Sequence, residues 1–509
     1  MKYIDNFLNG ITMYKLVLFG LSILFLLSLI GGFTGILDYS PYAMLLSYFV
    51  LISVCYVSNW IFSLVFKVQT NVESSFITAL ILYFTLIPIS SFYDLNIFLL
   101  AGVIAMGSKY IFAINKKHIF NPVAITLVIL SLFGSGLAGW WVGSMAMLLP
   151  VSILGFLVLR KVKRFQMFGI FAGVATVVAL ISATKSGGSA IEALNQLFVS
   201  GPLVFFGTII LTEPLTTPPQ RNRQIIYGSL SGLFYSLVFS IGPLSSSPAL
   251  ALFIANMYSY LASPRARLLL ELKEKNKLSA DVYEFVWKIL NSDSNRLQFK
   301  AGQYLEWTLG HDKPDLRGNR RYFTIASSPT EEGVRLGVKF YPNSSSFKNK
   351  LVSLQPGSQI IASQLAGDFT LPQDTSKKLV FIAGGIGITP FRAMVKSMID
   401  NQEKREVTLF FSNKTVHDVV YKEYFDEAER SFGMKTVYVV NDATDQNQLP
   451  LAKVGMINSE MIMNEVPDYK ERMFYISGTH GMVTAFEDQL KKMGVPRNQI
   501  KIDFFPGFV

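Results

Sequence analysis

The chain has 509 residues, half of them hydrophobic, and a mean hydropathy of +0.37, so apolar that much of it belongs in lipid. Its formal charge of +11 sits on residues flanking apolar runs, so membrane topology accounts for the charge and no nucleic-acid partner is expected. One cysteine, Cys55, excludes an internal disulfide and an iron–sulfur cluster. Four histidines, with only His118 in the apolar half, exclude paired bis-histidine haems, and no metal site is expected.

Residues 1–263 hold apolar runs near 14–35, 41–66, 75–90, 94–113, 121–139, 144–160, 165–183, 193–212, 225–241 and 246–262, which predict about ten membrane helices. The first run is too long for a signal segment and lacks a small-residue cleavage site, so it is expected to be retained. Several runs fall short of the ~20 residues a crossing needs, and short or proline-interrupted runs are expected as half-helices lining a site. One set of loops carries Lys67, Lys116, Lys117, Arg160, Lys161, Lys163, Arg164, Arg221, Arg223, Arg265 and Arg267. The other set carries Lys185 against Asp38, Asp94 and Glu192. The positive-inside rule then puts both termini in the cytoplasm of a multi-pass cell-membrane protein. The third run ends YFTLIPISS and the eighth IILTEPLTTPP, which suggests a 5+5 inverted repeat. Glu73, Asp94, Glu192 and Glu213 all lie near run ends, so the pattern gives no positive sign of an ion path.

After Pro264 charges become frequent and alternating stretches such as RLLLELKE and VYEFVWKIL predict strands. From about 375, KKLVFIAGGIGITPFRAMVKSM predicts strand, glycine turn and helix, and EVTLFFS and ERMFYISG predict further buried parallel strands. The fold class is therefore a multi-span α-helical membrane domain, 1–263, followed by a β-barrel domain, 264–374, and a Rossmann-like α/β domain, 375–509.

RRYFTIASSP at 320–329 resembles the R-x-[YF]-[ST] signature of the ferredoxin–NADP⁺ reductase family. The resemblance implies an FAD site in which Arg321 clamps the pyrophosphate, Tyr322 lies alongside, Phe323 packs on the isoalloxazine and Thr324 hydrogen-bonds near N5. SSFKNKL at 345–351 is similar to the family's turn and helix start for the second phosphate, through Ser345, Ser346 and Lys348. GDFTLP at 367–372 matches the end of the family's FAD domain. AGGIGITP at 383–390 resembles the pyridine-nucleotide loop. Gly384, Gly385 and Gly387 would admit phosphate, and Thr389 would lie near the nicotinamide. SGTHGM at 477–482 resembles C-G-P-x-x-M, with Ser477 in place of the cysteine, Gly478 retained and Thr479 in place of the proline. The chain finishes DFFPGFV, and Phe508 is the candidate for the aromatic that shields the flavin. The catalytic expectation is thus Thr324, Thr389, Ser477 and Phe508.

KKHIFNPVAITLVIL and FGTIILTEPLTTPPQRNRQIIYGSLSGLF resemble the NqrB/RnfD family of flavin-bearing membrane subunits. In that family a flavin is esterified to the threonine of S-G-A-T; the loop here reads TKSGGSA and places Ser189 there, departing in its last two positions. Thr212, Thr216, Thr217 and Arg221 cluster at a cytoplasmic helix end, where the resemblance implies a flavin pocket.

These elements describe a membrane-bound NAD(P)H:acceptor oxidoreductase. Its cofactors would be FAD, NADH or NADPH, and FMN or riboflavin in the membrane domain. Its partners would be membrane lipid, a quinone or outer-face electron acceptor, and partner subunits. The alternative is a redox-gated transporter or ion pump driven by the reductase.

Overall fold

Thr12, Ser91 and Asn121 mark where the apolar runs begin to coil, because each supplies a side-chain oxygen to N–H groups a first turn leaves without partners. Thr12 accepts from Lys15 N, Ser91 and Asp94 form a reciprocal capping box, and Asn121 accepts from Val123 N and Ala124 N ahead of Pro122. The computed structural model describes residues 2–67, 72–114, 117–134, 136–242, 244–262, 267–291, 297–442, 449 and 452–503. The chain divides into two units, Met1–Ala266 and Arg267–Val509.

The first unit is helical. Its helices are α1 Lys2–Gly10, α2 Met13–Phe33, α3 Pro41–Phe66, α4 Val72–Thr85, α5 Phe92–Ile111, α6 Pro122–Leu132, α7 Met145–Val162, α8 Phe165–Lys185, α9 Ala190–Phe198, α10 Leu203–Phe205 running into a π-helical turn Phe206–Ile210, α11 Arg221–Ser236 and α12 Pro248–Ala262. Two short hairpins join β1 Ala113–Ile114 to β2 Lys117–His118, and β3 Ser240–Ile241 to β4 Leu244–Ser245. Helices occur at all ten expected runs, but among the described residues only α2, α3, α5, α7 and α8 are long and apolar enough to cross a membrane. The pair α9 and Leu203–Ile210, bent by 51°, would make a sixth. The runs at 75–90 and 121–139 yield only 14 and 11 helical residues. The chain leaves α4 as Leu86 bridges to Ala138 and Ile87 N bonds to Leu137 O at 3.0 Å. Just beyond α6, Gly134 turns at φ +66°. Phe19, Ile23, Phe49, Trp60, Leu149 and Ile153 stand exposed on the long helices, the kind of surface that lipid or a partner covers.

Packing in this unit is regular. α3 packs on α5, α5 on α6, and α2 on α4; α8 packs on α11, α11 on α12, and α7 on α10 and its π-helical turn. α2 also meets α7, and α6 meets α12.

The second unit holds two sheets. Strands β5 Leu268–Lys277, β6 Val282–Ile289, β7 Tyr304–Thr308, β8 Arg320–Thr324, β9 Val334–Lys339 and β10 Gln359–Ala366 form an antiparallel sheet in the order β8-β7-β10-β5-β6-β9. Trp287, Trp307 and Phe285 fill its core, and α13 Ser346–Ser353 contributes Phe347 to it. The second sheet has β11 Leu379–Gly384, β12 Val407–Asn413, β13 Lys435–Val440, β14 Lys453–Val454, β15 Met473–Ser477 and β16 Ile500–Asp503, all parallel, in the order β14-β13-β12-β11-β15-β16. Helices α14 Thr389–Asp400, α15 Lys422–Phe432, α16 Ser459–Glu465 and α17 His480–Lys492 accompany it. β11 is buried along nearly its whole length, as its unbroken apolar run requires of a strand covered on both faces. Sequence order reverses between β11 and β15, so their carboxyl ends open a crevice at a topological switch point.

Candidate active site and cofactor cradle

Strand alternation decides which side chains of 320–324 share a face. Arg321 lies opposite Trp307 and Phe323 opposite Leu305, and both approach the Phe347 ring. The Arg321 guanidinium carbon is 5.3 Å from that ring's centroid, and the Phe323 ring is 5.9 Å from it. Phe323 is buried in the core of the antiparallel sheet. Tyr322, on the opposite face, is exposed, donates its hydroxyl to Glu306 at 2.8 Å and stands edge-on to Tyr304. Thr324 closes the strand and is buried.

A cationic cluster lies beside this strand. Ser345 caps α13, accepting from Lys348 N at 3.4 Å. Ser346 donates its N–H to Asp315 at 3.1 Å, and its hydroxyl meets Asp315 N and His311 Nε2, each at 3.0 Å. Asp315 also takes Arg321 and Arg317, each at 3.4 Å. Burial opposes the Asp315 charge, but the Ser346 N–H, then Arg321 and Arg317, hold its carboxyl below the usual range. Lys348 donates to Lys339 O at 2.7 Å; burial first, then Arg317 and Arg321, push its ammonium down to about 8. Two arginines and a helix N-terminus on one carboxylate, with Lys348 beside the arginines, make a cluster short of negative charge, the electrostatics a diphosphate satisfies. Asp315 and Arg317 were missed from sequence; the signal for them is the D-x-R-G turn just before the signature.

The two glycine-bearing loops meet at the carboxyl ends of β11 and β15, where Ala383 is paired with Ser477. Gly385 turns at φ +52°. A Cβ on Gly387 would stand 2.5 Å from Ser477 O and 2.8 Å from Gly478 Cα, so only glycine lets the loops approach this closely. Thr389 opens α14, its hydroxyl donating to Ile386 O at 3.2 Å, while Thr479 caps α17. Gly384, Gly385, Gly387, Thr389, Ser477 and Gly478 therefore line one crevice with two helix N-termini at its edge. Phe508 lies outside the described residues.

Residues 269–370 match the oxidoreductase FAD-binding domain family and residues 381–488 the oxidoreductase NAD-binding domain family. The C-terminal unit is an FAD- and NAD-binding oxidoreductase module. Among curated relatives, a flavohemoprotein of Oceanobacillus iheyensis is 27% identical over 190 residues, 36% of this chain and 46% of the relative. One of Bacillus subtilis is 27% identical over 239 residues, 46% of this chain and 57% of the relative. The chain thus spans about half the length of these relatives. Among solved structures, the cytochrome b5 reductase domain of Ulva prolifera nitrate reductase is 22% identical with a TM-score of 0.42, covering 48% of this chain and 98% of that one. The FAD/NAD-binding domain of nitric oxide dioxygenase from Vibrio cholerae is 19% identical with a TM-score of 0.41, covering 46% and 97%.

The oxidoreductase module is bound together by a buried ion network. Arg392 of α14, fully buried, bonds Glu331 through both terminal nitrogens, Ala326 O at 3.1 Å and the Tyr424 hydroxyl at 2.7 Å. Arg335 of β9 pairs with Glu284 at 2.7 Å and with Glu331 at 3.1 Å. The network fixes the antiparallel sheet against the parallel one, and so sets one cofactor cradle against the other.

The residues expected to form a flavin pocket in the N-terminal unit come together in part. Thr212 donates its hydroxyl to Thr208 O at 2.6 Å. Thr217 donates to Glu213 O at 2.7 Å and Leu211 O at 2.9 Å. Both are buried and engaged with the chain's own carbonyls, while Arg221 turns outward to Gln166. Ser189 is exposed as the cap of α9. Of the expected set Thr216 faces a polar centre, donating to Glu213 at 3.1 Å, and Thr217 reaches the same centre through its side-chain contact with Tyr227. That centre adds His118, Asn121 and Tyr227, which lie in the two stretches resembling the NqrB/RnfD family, and Asn256, which lies in neither.

Proposed function

We propose that this chain is a membrane-bound oxidoreductase that passes electrons from NAD(P)H through FAD to an acceptor in its N-terminal unit. The observation carrying the reading is the union, in one chain, of an FAD- and NAD-binding module with a unit of which five helices are long and apolar enough to cross a membrane. Arg321, Ser345, Ser346 and Lys348 hold the FAD diphosphate, Tyr322, Phe323 and Thr324 border the ring, and Gly384, Gly385, Gly387 and Gly478 receive the NAD(P)H phosphates. Thr389 and Ser477 flank the nicotinamide, and Phe508 shields the flavin. FAD, when bound, accepts two electrons as hydride and releases them one at a time. The acceptor is a flavin, FMN or riboflavin, or a quinone, with Ser189 as a covalent attachment point on the outer face. The repeated packing pattern, with α2 against α7 and α6 against α12, supports a 5+5 inverted repeat whose equivalent helices meet at a pseudo-two-fold axis.

A second reading, a transporter or pump driven by the reductase, draws on the short helices α4, α6 and α12 and on the π-helical turn, features that line sites in transporters. Detergent-purified full-length protein separates the two. The electron-transfer reading requires a flavin spectrum that bleaches on NADH or NADPH and reoxidises on adding a quinone, with FAD lost from Arg321→Ala. Full FAD occupancy in that variant would overturn the cradle, and substrate flux without reoxidation by quinone would favour the transporter.

A further inference from the structure

Within an otherwise apolar helical unit, one polar centre draws residues from both of its halves. Glu213, in the turn that follows the π-helical segment, accepts from Asn121 Nδ2 at 2.8 Å and from the Thr216 hydroxyl at 3.1 Å. Its other carboxylate oxygen is 3.8 Å from His118 Nε2. Asn121 donates its N–H to Asn256 at 2.7 Å, and Asn256 in turn donates to the Tyr227 hydroxyl at 3.1 Å. His118 Nε2 is buried with no hydrogen-bond partner among the described residues, the Glu213 carboxylate standing just beyond bonding distance. The side chains of His118 and Glu213 are 14% and 18% exposed. The other charged and titratable groups around the centre are Lys109 of α5, which donates to Ser74 O and to the hydroxyls of Ser74 and Thr78 near 3.0 Å, together with Tyr227 of α11 and Arg164. Arg164 donates to Thr212 O at 2.7 Å, which ties the centre to the end of the unit carrying Arg160, Lys161 and Lys163.

A carboxylate beside an imidazole inside an apolar unit is costly to maintain and usually has a functional role. Electron transfer through the unit calls for such a pair. The hydride from NAD(P)H carries two electrons and one proton, but once electrons leave singly that proton stays behind in the C-terminal unit. A quinone becomes a quinol only when its two carbonyl oxygens take up two protons where it sits. The net change is NAD(P)H + H⁺ + quinone → NAD(P)⁺ + quinol, and electrons reach the quinone over distances a proton cannot follow. Each proton must therefore be handed over locally. We propose that His118 and Glu213 are the proton-donating pair for a quinone reduced in the N-terminal unit, recharged from water at the positively charged end. This rests on the reading of a membrane acceptor above. Glu213 stands beside the imidazole, Asn121 and Thr216 fix the carboxylate, and the Asn256–Tyr227 chain fixes Asn121.

The test compares full-length protein with His118→Gln and Glu213→Gln, the latter chosen because a glutamine oxygen still accepts from Asn121. Two activities are read with NADH as donor: reduction of ferricyanide, which takes electrons without protons, and reduction of a short-chain benzoquinone. Both variants are expected to keep ferricyanide reduction and to lose about 10²-fold in quinone reduction, in line with loss of general acid catalysis. Wild-type quinone reduction should slow as pH rises and show a solvent isotope effect, and both features should vanish in the variants. Wild-type protein that reduces ferricyanide but no quinone would sink the membrane-acceptor reading itself. Quinone reduction that is unchanged in both variants, or that falls only in step with ferricyanide reduction, would overturn the proton assignment alone.

Discussion

Lys348 shows how one side chain reports on the cofactor cradle. Its ammonium is held down to about 8 because it is buried beside Arg317 and Arg321. The unfolded lysine titrates near 10.4, so between about 8 and 10.4 the unfolded state binds the extra proton and the apoprotein gains stability as pH rises. Diphosphate reverses the sign locally, since a nearby anion favours the charged ammonium. FAD affinity should therefore be highest below about pH 8 and decline above it, and Lys348→Met should flatten that decline. Fluorescence titration of apoprotein across pH 6.5–9.5, a range set around the lysine's value of about 8, checks this. A decline that persists in the variant would remove Lys348 from the diphosphate site. The proposed cradle draws on Arg321, Ser345, Ser346 and Lys348, which sit in short, chemically specific stretches and lie close together in the structure. Asp315 was missed, because its one signal, the D-x-R-G turn before the signature, does not say which arginine or helix the carboxylate will meet.

Elements carry the next level of the argument. A Cβ on Gly387 would collide with the Ser477 carbonyl carbon at 2.7 Å and with Gly478, both main chain, whereas one on Gly384 would meet the Met482 sulfur at 2.1 Å, the middle of a flexible side chain. Gly387→Ala should raise the KM for NAD(P)H by at least about tenfold with FAD content intact, and Gly384→Ala should be the milder of the two; that cost is on the order of 1.4 kcal/mol. Steady-state kinetics with ferricyanide decide it, and the reverse order would mean that the β11 and β15 loops do not pack as described. Arg392, buried on Glu331, poses the corresponding question of stability. Arg392→Met leaves that carboxylate without its main partner and should cost about 3–5 kcal/mol in denaturant unfolding. A change under about 1 kcal/mol would show that the network does not hold the two sheets together. The parallel sheet was readable because β11 and β15 are apolar runs ending in glycine turns. The lengths of α4 and α6 were not, since hydropathy runs on through residues that leave the helix to form the Leu86–Ala138 bridge. Glu213 and Asn121 meet across 92 residues of sequence, a separation at which a single chain gives no local signal.

Over the whole molecule, the proposed arrangement puts the basic loops on the cytoplasmic side and has the reductase supply the electrons. Topology can be read with cysteines placed at Asp38, Asp94 and Ser186 on a Cys55→Ser background, which an impermeant thiol reagent should label in intact cells, while one at Lys161 should stay unlabelled. Labelling at Lys161 would invert the arrangement. The central claim is that the N-terminal unit receives the electrons that NAD(P)H delivers, and an anaerobic reductive titration of full-length protein tests it most directly. FAD alone stores two electrons, so the account predicts uptake of more than two per FAD, the excess residing in a flavin or quinone of the helical unit. Uptake that stops at two electrons per FAD, in protein whose lipids and quinone were retained on purification, would contradict it.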